Sequence, residues 1–123
     1  MAEFSPLQAN VYRSHSLSNS SFIITDTLET LYGITVDNTA NTTDIFVKIY
    51  FQDTGSAPTI GTTDPDLILR VEASKKQDFP VLDGQGILSG ASAELMYFVA
   101  VTTGGTAGTT APTNDVVADI YTS

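Results

Sequence analysis

Residues 43–53 read TDIFVKIYFQD, and their pattern is the clearest indication of the fold class. Its side chains form two alternating sets, with Ile45, Val47, Ile49 and Phe51 in one and Phe46, Lys48, Tyr50 and Gln52 in the other. An alternation of this kind is the period of a β-strand, in which successive side chains point to opposite faces. The sequence therefore predicts a half-buried strand with the first set against a core.

Similar strand patterns recur along the chain at short spacing. They cover residues 21–25, 31–36, 44–52, 67–73, 79–82, 86–88, 94–102 and 116–122. Turn-forming residues separate them, such as Asp83-Gly84 and Gly104-Gly105, and no segment keeps a helical period. We therefore predict an all-β protein, a single antiparallel β-sandwich of about seven to eight short strands.

The first 21 residues differ from the rest of the chain. They are rich in Ser and Asn, and their apolar residues are irregularly spaced. We interpret residues 1–21 as an extended N-terminal arm and residues 22–123 as the sandwich domain. An arm could become ordered on a partner, whereas the alternatives are a frayed terminus or a first edge strand.

The charge balance argues against two classes of partner. The 123 residues include 14 acidic and 5 basic ones, which gives a formal net charge of −9. Such a chain repels nucleic acid and anionic membranes. The acidic residues could serve solubility, or they could complement a basic partner surface. Because the sequence shows no cysteine, no export signal and no long apolar run, we expect a protein made and kept in a cytosol.

The residues that usually carry catalysis are scarce. His15 is the sole histidine and lies in the Ser-rich arm, where it is better interpreted as a solvated side chain than as a general base. The segment 86–90, GILSG, has the wrong spacing for a nucleophile elbow. The glycine-rich segment 104–109 lacks the lysine of a phosphate-binding loop. We therefore predict no enzymatic activity and no cofactor.

Three carboxylates form a weak candidate for a calcium site. Asp64 and Asp66 flank Pro65, and Asp53 precedes the same loop. Oxygen ligands at alternate loop positions can hold Ca²⁺, although aspartate at strand ends is also ordinary turn chemistry, which is the interpretation we favour. Asn41-Thr42-Thr43 matches a glycosylation sequon and is likewise better interpreted as a turn.

A short internal echo links two long loops. Tyr-Phe at 50–51 is followed by GTTDP at 61–65, and Tyr-Phe at 97–98 is followed by GTTAP at 108–112, at the same offset. Chance similarity of Thr/Gly-rich loops and a duplication both explain the echo. In either case we predict two similar loops at one end of the sandwich, where such folds place binding surfaces.

Four segments in order carry a family resemblance. They are LYGITVDN at 31–38, VKIY at 47–50, APTIGTTDP at 57–65 and VAVTTG at 99–104. With them, roughly residues 22–122 resemble the small β-sandwich virion proteins of tailed bacteriophages. The resemblance implies a non-enzymatic capsid cement or decoration protein on the outer head surface, assembled in the bacterial host cytoplasm. The alternative is a small tail, neck or baseplate accessory protein that binds a receptor or glycan.

The implied partner is the major capsid protein, with self-association as a dimer or trimer. An exposed edge strand at residues 116–123 could pair with a second copy. The residues expected to contact partners are apolar ones of the arm and threonines of the two long loops: Phe4, Leu7, Val11, Tyr12, Thr59, Thr62, Thr63, Thr106 and Thr109.

Overall fold

The computed structural model of the protein describes residues 10–20, 22–24, 30–53, 57–80, 88–89 and 94–122. These residues form nine strands and no helix. The strands are β1 (Asn10–Leu17), β2 (Phe22–Ile24), β3 (Thr30–Asp37), β4 (Ile45–Asp53), β5 (Leu67–Val71), β6 (Lys76–Pro80), β7 (Leu88–Ser89), β8 (Glu94–Val101) and β9 (Val116–Thr122). The described part of the chain therefore holds no helix that could span a membrane.

The strands form two sheets. Sheet 1 has the order β1-β9-β3-β6, with the two-residue β7 also pairing with β3. Sheet 2 has the order β2-β8-β4-β5. Every strand pair is antiparallel. The predicted all-β antiparallel sandwich is confirmed.

The core lies between the two sheets and draws on both. Sheet 1 contributes Leu17, Leu31, Ile34, Val36, Val116, Ala118 and Ile120, and sheet 2 contributes Ile45, Val47, Ile49, Phe51, Val71, Met96, Phe98 and Ala100. The four β4 residues predicted to face a core are all in this cluster. Burying a large aliphatic side chain contributes about 1.5–3 kcal/mol, so this layer is the main source of stability.

A β-bulge explains why β3 does not keep a simple alternation. Leu31 and Ile34 are both buried in the core although they are an odd number of residues apart. The register against β9 shifts between Leu31 and Gly33. An extra residue in one strand of a pair turns the following side chains to the other face, so both residues reach the same core.

The N-terminal boundary differs from the predicted one. Residues 10–17, assigned to an arm, form the edge strand β1, which pairs with β9. Leu17 is fully buried in the core, and the Ser18 carbonyl accepts a hydrogen bond from the Ala100 N–H at 2.8 Å. The edge-strand alternative thus describes residues 10–17, because pairing satisfies their backbone and Leu17 adds apolar burial. Residues 1–9 lie outside the described part.

The C-terminal strand is not an edge strand. β9 lies between β1 and β3 and is paired on both sides. The prediction that residues 116–123 offer a free edge to a second copy is therefore wrong. The edge position that sequence patterns assigned to β9 is taken by β1, whose Ser-rich sequence gave little sign of a strand.

A buried polar cluster holds one end of the sandwich together. The side-chain amide of Asn38 donates to the carbonyl oxygens of Thr43, Glu72 and Val71 at 3.0, 3.1 and 3.4 Å. Its own oxygen accepts from the Asn41 amide at 2.9 Å. Both side chains are buried. Because buried polar groups need partners, Asn38 fixes the β3–β4 turn against the β5–β6 turn.

The cluster continues into the loop before β9. Asn41 exchanges hydrogen bonds with the main chain of Asn114 at 2.8 and 2.9 Å. Its carbonyl also accepts from the Ser74 N–H at 2.9 Å, and Ser74 has a φ of 60°. Asn41 is therefore a structural residue, in agreement with its interpretation as a turn residue instead of a glycosylation site.

Candidate functional site

The two long loops lie over the outer face of sheet 2. Loop L1 (residues 57–66) follows β4, and loop L2 (residues 102–112) follows β8. In the β4–β8 ladder, Asp53 pairs with Glu94 at one end and Phe46 with Val101 at the other. The loops therefore leave the ladder at opposite ends and fold back toward each other. The prediction that they share one end of the sandwich is wrong, although the two segments that it grouped do contact each other.

Direct contacts join the two loops into a single surface, which we call the loop cover. The Thr106 hydroxyl donates to a carboxylate oxygen of Asp64 at 2.6 Å. Gly61 has a φ of 95°, and a Cβ there would lie 2.6 Å from the Thr109 methyl group. Glycine thus permits both the backbone conformation and the close approach of the loops.

The loop cover buries a second apolar cluster. It consists of Tyr50, Leu95, Tyr97 and Val99, with Ile60 of loop L1 packed against them. The prediction of a half-buried β4 is therefore wrong for its outer face, where Lys48 and Tyr50 are fully buried. Alternation told the two faces apart, but it could not show that distant loops would fold back over the outer one.

Lys48 is the most prominent residue of the site that sequence analysis did not identify. Its ammonium group donates to the carbonyl oxygens of Gly108 at 2.7 Å and Thr106 at 3.4 Å. Burial lowers the pKa of this amine, because removal from water disfavours the charged form. Lysine on the polar set of an alternating strand ordinarily faces solvent, so no sequence signal pointed to this role.

Tyr50 lies on the same face of β4 as Lys48. Its ring belongs to the outer cluster, and among the described side chains its hydroxyl is the buried polar atom without a hydrogen-bond partner. Burial raises the pKa of this phenol. A neutral hydroxyl is therefore the form that the loop cover favours.

The internal echo has a geometric counterpart. Tyr50 lies directly opposite Tyr97 in the β4–β8 ladder, so a local two-fold relation about this pair exchanges the strands and their loops. Under that exchange Lys48 beneath loop L2 corresponds to Leu95, which packs with Ile60 of loop L1. The relation ends after the loops, because β5 joins sheet 2 whereas β9 joins sheet 1.

The five threonines predicted as contacts lie in the loop cover. Thr59, Thr62 and Thr109 are exposed, whereas Thr63 and Thr106 are partly buried. The Thr63 hydroxyl accepts a hydrogen bond from the Thr59 N–H at 2.9 Å, and the Thr106 hydroxyl is bonded to Asp64. The structure thus brings these threonines into one region, and their contact with a partner remains a prediction.

The residues predicted from the arm are not assembled into a described surface. Phe4 and Leu7 lie outside the described residues. Val11 and Tyr12 are in β1, where they pair with Tyr121 and Ile120, and His15 pairs with Ala118 in the same strand. Only the backbone positions of these three β1 residues are described.

Two of the three carboxylates in the calcium candidate accept hydrogen bonds within the protein. One oxygen of Asp66 accepts from the Phe51 N–H at 2.7 Å, and Asp64 accepts from Thr106. Asp53 is the last residue of β4 and its side chain is not described. Within the described residues no three His, Cys, Asp or Glu side chains are grouped to hold a metal ion.

Comparison with known proteins gives no relative. No protein-family model matches the chain, and no curated protein or solved structure matches it significantly.

Replacing Lys48 with methionine should loosen loop L2 without unfolding the protein. The variant keeps the side-chain length but loses the bonds to Gly108 and Thr106, so amide hydrogen exchange in loop L2 should accelerate by about tenfold. The global free energy of unfolding at pH 7 should change by less than about 1 kcal/mol, since removing a buried charge offsets the lost bonds. Hydrogen-exchange mass spectrometry and urea titration measure the two quantities.

The same variant should change the pH dependence of stability. The unfolded chain keeps the lysine proton up to about pH 10.4, whereas folded Lys48 releases it at lower pH. The free energy of unfolding of the wild type should therefore gain a rising component toward pH 10 that Lys48→Met lacks. The other lysines and the tyrosines, including Tyr50, are present in both proteins and cancel in the comparison. Identical pH profiles would contradict the assigned role of the buried amine.

Proposed function

We propose that this protein is a structural component of a tailed-bacteriophage virion, a cement or decoration protein that binds the outer head surface and stabilises the shell. The proposal is supported by the resemblance of roughly residues 22–122 to small virion sandwiches. A cement protein needs a stiff body and an interface that shell symmetry repeats many times, so that modest contacts add up. It acts without catalysis and without a cofactor.

The observation that carries the proposal is that polar side chains of the loop cover, and the lysine beneath it, form hydrogen bonds within the protein. Lys48, Asp64 and Asp66 are all bonded within the protein. What the loops offer to a partner is a polar surface on a closely packed support: the exposed threonines Thr59, Thr62 and Thr109, with the exposed Asp64 and Asp66 beside them. Such a surface suits broad protein–protein contact better than binding of a charged small molecule.

The proposed partner is the major capsid protein, met on the virion surface after assembly in the bacterial cytoplasm. The net charge of −9 fits this setting, because it discourages binding to the phage DNA present in the same compartment. Self-association as a dimer or trimer belongs to the same proposal, since capsid axes favour symmetric partners.

The second candidate is a tail, neck or baseplate accessory protein that binds a receptor or glycan. Loops L1 and L2 contain no Phe, Tyr or Trp that could stack on a sugar ring. Because carbohydrate sites commonly use such rings among their apolar linings, the loop sequences favour the cement role.

Copy number in the virion is the test. We expect mass spectrometry of purified particles from the encoding phage to give a copy number close to that of the major capsid protein. A handful of copies per particle would contradict the cement role in favour of the neck or tail, and absence from particles would contradict both candidates.

A matched pair of variants then tests the surface. Thr62→Arg should weaken binding to particles by about tenfold, because a bulky charge at the centre of a contact is poorly accommodated. Thr42→Arg, an exposed threonine in the β3–β4 turn, adds the same charge outside the loop cover and should bind normally. Equal binding by both variants would exclude the loop cover as the contact surface.

A further inference from the structure

The outer strand of sheet 2 carries an unusually apolar edge. β5 pairs with β4 on one side and, among the described residues, with no strand on the other. Its consecutive residues Leu67, Ile68 and Leu69 are each only partly buried. A free edge presents unpaired N–H and C=O groups, and apolar side chains on both of its faces favour pairing with another chain.

The two edges of sheet 1 carry the usual protection, and β2, the other edge of sheet 2, is only three residues long, which itself limits pairing. β6 opens with the exposed residues Lys76, Gln77 and Asp78, and β1 contains a register shift between Tyr12 and His15. Charged residues and bulges are the features by which natural proteins keep sheet edges from pairing. β5 has neither along its apolar stretch.

The one charged residue of β5 is already neutralised within the chain. The Arg70 guanidinium donates to one carboxylate oxygen of Asp44 at 2.6 and 3.1 Å, and this bond lowers the pKa of Asp44. The other Asp44 oxygen accepts from the Ala73 N–H. Arg70 therefore does not act as an isolated charge that would repel a second copy.

From this contrast, we propose that two copies of the protein pair through β5, antiparallel and about a two-fold axis at Ile68. The pairing would join two copies of sheet 2 into one continuous sheet. It would place Ile68 opposite Ile68 and Leu67 opposite Leu69. It would also bring Asp66 of each copy opposite Arg70 of the other. Apolar residues thus meet apolar ones, which stabilises cross-strand pairs, and no two like charges lie opposite each other.

The strand that pairs with the free edge of β5 is the β5 of a second copy, because β5 is complementary to itself in this register. A two-fold interface uses the same patch on both subunits, and the sequence DLILR at 66–70 supplies both halves. With five-residue strands the interface is at the small end of biological contacts, so association in the micromolar range is expected. The proposal does not rest on the capsid role and concerns the isolated protein.

Charged substitutions at Ile68, which lies on the proposed two-fold axis, test the β5-paired dimer. Sedimentation of the wild type between about 1 and 300 µM should show a concentration-dependent dimer. Ile68→Lys and Ile68→Glu should each raise the dimer dissociation constant by about tenfold or more, because the axis places two like charges opposite each other. An equimolar mixture of the two variants should restore a dimer, resolved as the heterodimer by native mass spectrometry.

A control separates pairing from loss of fold. Gln77→Lys places a lysine in the β6 edge strand and should leave the dimer unchanged. Circular dichroism should show every variant folded, and the recovery of a heterodimer cannot arise from misfolded chains. A wild type that stays monomeric at the highest concentration would overturn the proposal. So would variants at Ile68 that dimerise normally, or a mixture that forms no heterodimer.

Discussion

Replacing Asn38 with aspartate is expected to lower the free energy of unfolding by about 3–5 kcal/mol at pH 7, because it buries an unpaired negative charge. The Asn38 amide nitrogen faces the carbonyl oxygens of Thr43, Glu72 and Val71. An ionised carboxylate has no hydrogen to donate and would point a negative charge at three acceptors. The variant keeps the shape of the side chain, so the effect measures this reversal and not a cavity.

The sign of the pH dependence gives a second readout. The introduced carboxyl can donate only when protonated, so its pKa in the folded state would be raised above the unfolded value of about 3.9. The loss of stability should therefore be small near pH 4 and grow as the pH rises toward 7. Urea titrations at pH 4, 5.5 and 7 would measure it.

Asn114→Asp is the matched control for Asn38→Asp. It adds the same charge to the same cluster, but Asn114 is exposed and its amide donates to the Ala40 carbonyl at 2.7 Å. Water can solvate a carboxylate there, so its cost should stay below about 1 kcal/mol at all three pH values. A comparable loss in both variants would show that net charge, and not the buried amide, governs stability at this end of the sandwich.

The core-facing side of β4 was predictable because it depends on the local alternation of apolar and polar residues. The β4 residues Ile45, Val47, Ile49 and Phe51 entered the core as their spacing indicated. The same reasoning failed for residues 10–17, since a Ser-rich edge strand is held by backbone pairing with β9 instead of by its own pattern. β6 likewise begins at Lys76, three residues before the strand that was predicted over residues 79–82. Whether such a segment becomes an edge strand depends on the strand that it pairs with, and local sequence patterns do not identify that strand.

The candidate site was predictable in its segments but not in its geometry. Loop composition indicated residues 55–65 and 104–112, yet the contact between the two loops depends on Gly61, on the Asp64–Thr106 hydrogen bond and on Lys48, all long-range contacts. A buried lysine that bonds to carbonyl oxygens of a distant loop cannot be recognised from a local sequence pattern. Its role follows from the fold of the loop, and so does the requirement for glycine at position 108.

Gly108→Ala is expected to lower the free energy of unfolding by about 3–5 kcal/mol, the other large effect in this protein. A Cβ at this position would lie 2.2 Å from the Thr103 carbonyl oxygen and 2.4 Å from its hydroxyl oxygen. The nearest atom belongs to the backbone, so a side-chain rotation cannot relieve the overlap. Loop L2 must shift, and the Lys48 bond to the Gly108 carbonyl would be lost with it.

Gly105→Ala separates this steric effect from the conformational preference of glycine. Gly105 has a φ of 74°, but a Cβ there would meet no atom within 4 Å. Its replacement should cost only the strain of the left-handed region, about 1–2 kcal/mol, and leave the Lys48 bond intact. Chemical denaturation gives both free energies, and hydrogen exchange in loop L2 should rise for Gly108→Ala alone. Equal costs with unchanged exchange would mean that loop L2 tolerates the added methyl group, and that its close packing over Lys48 does not support the loop cover.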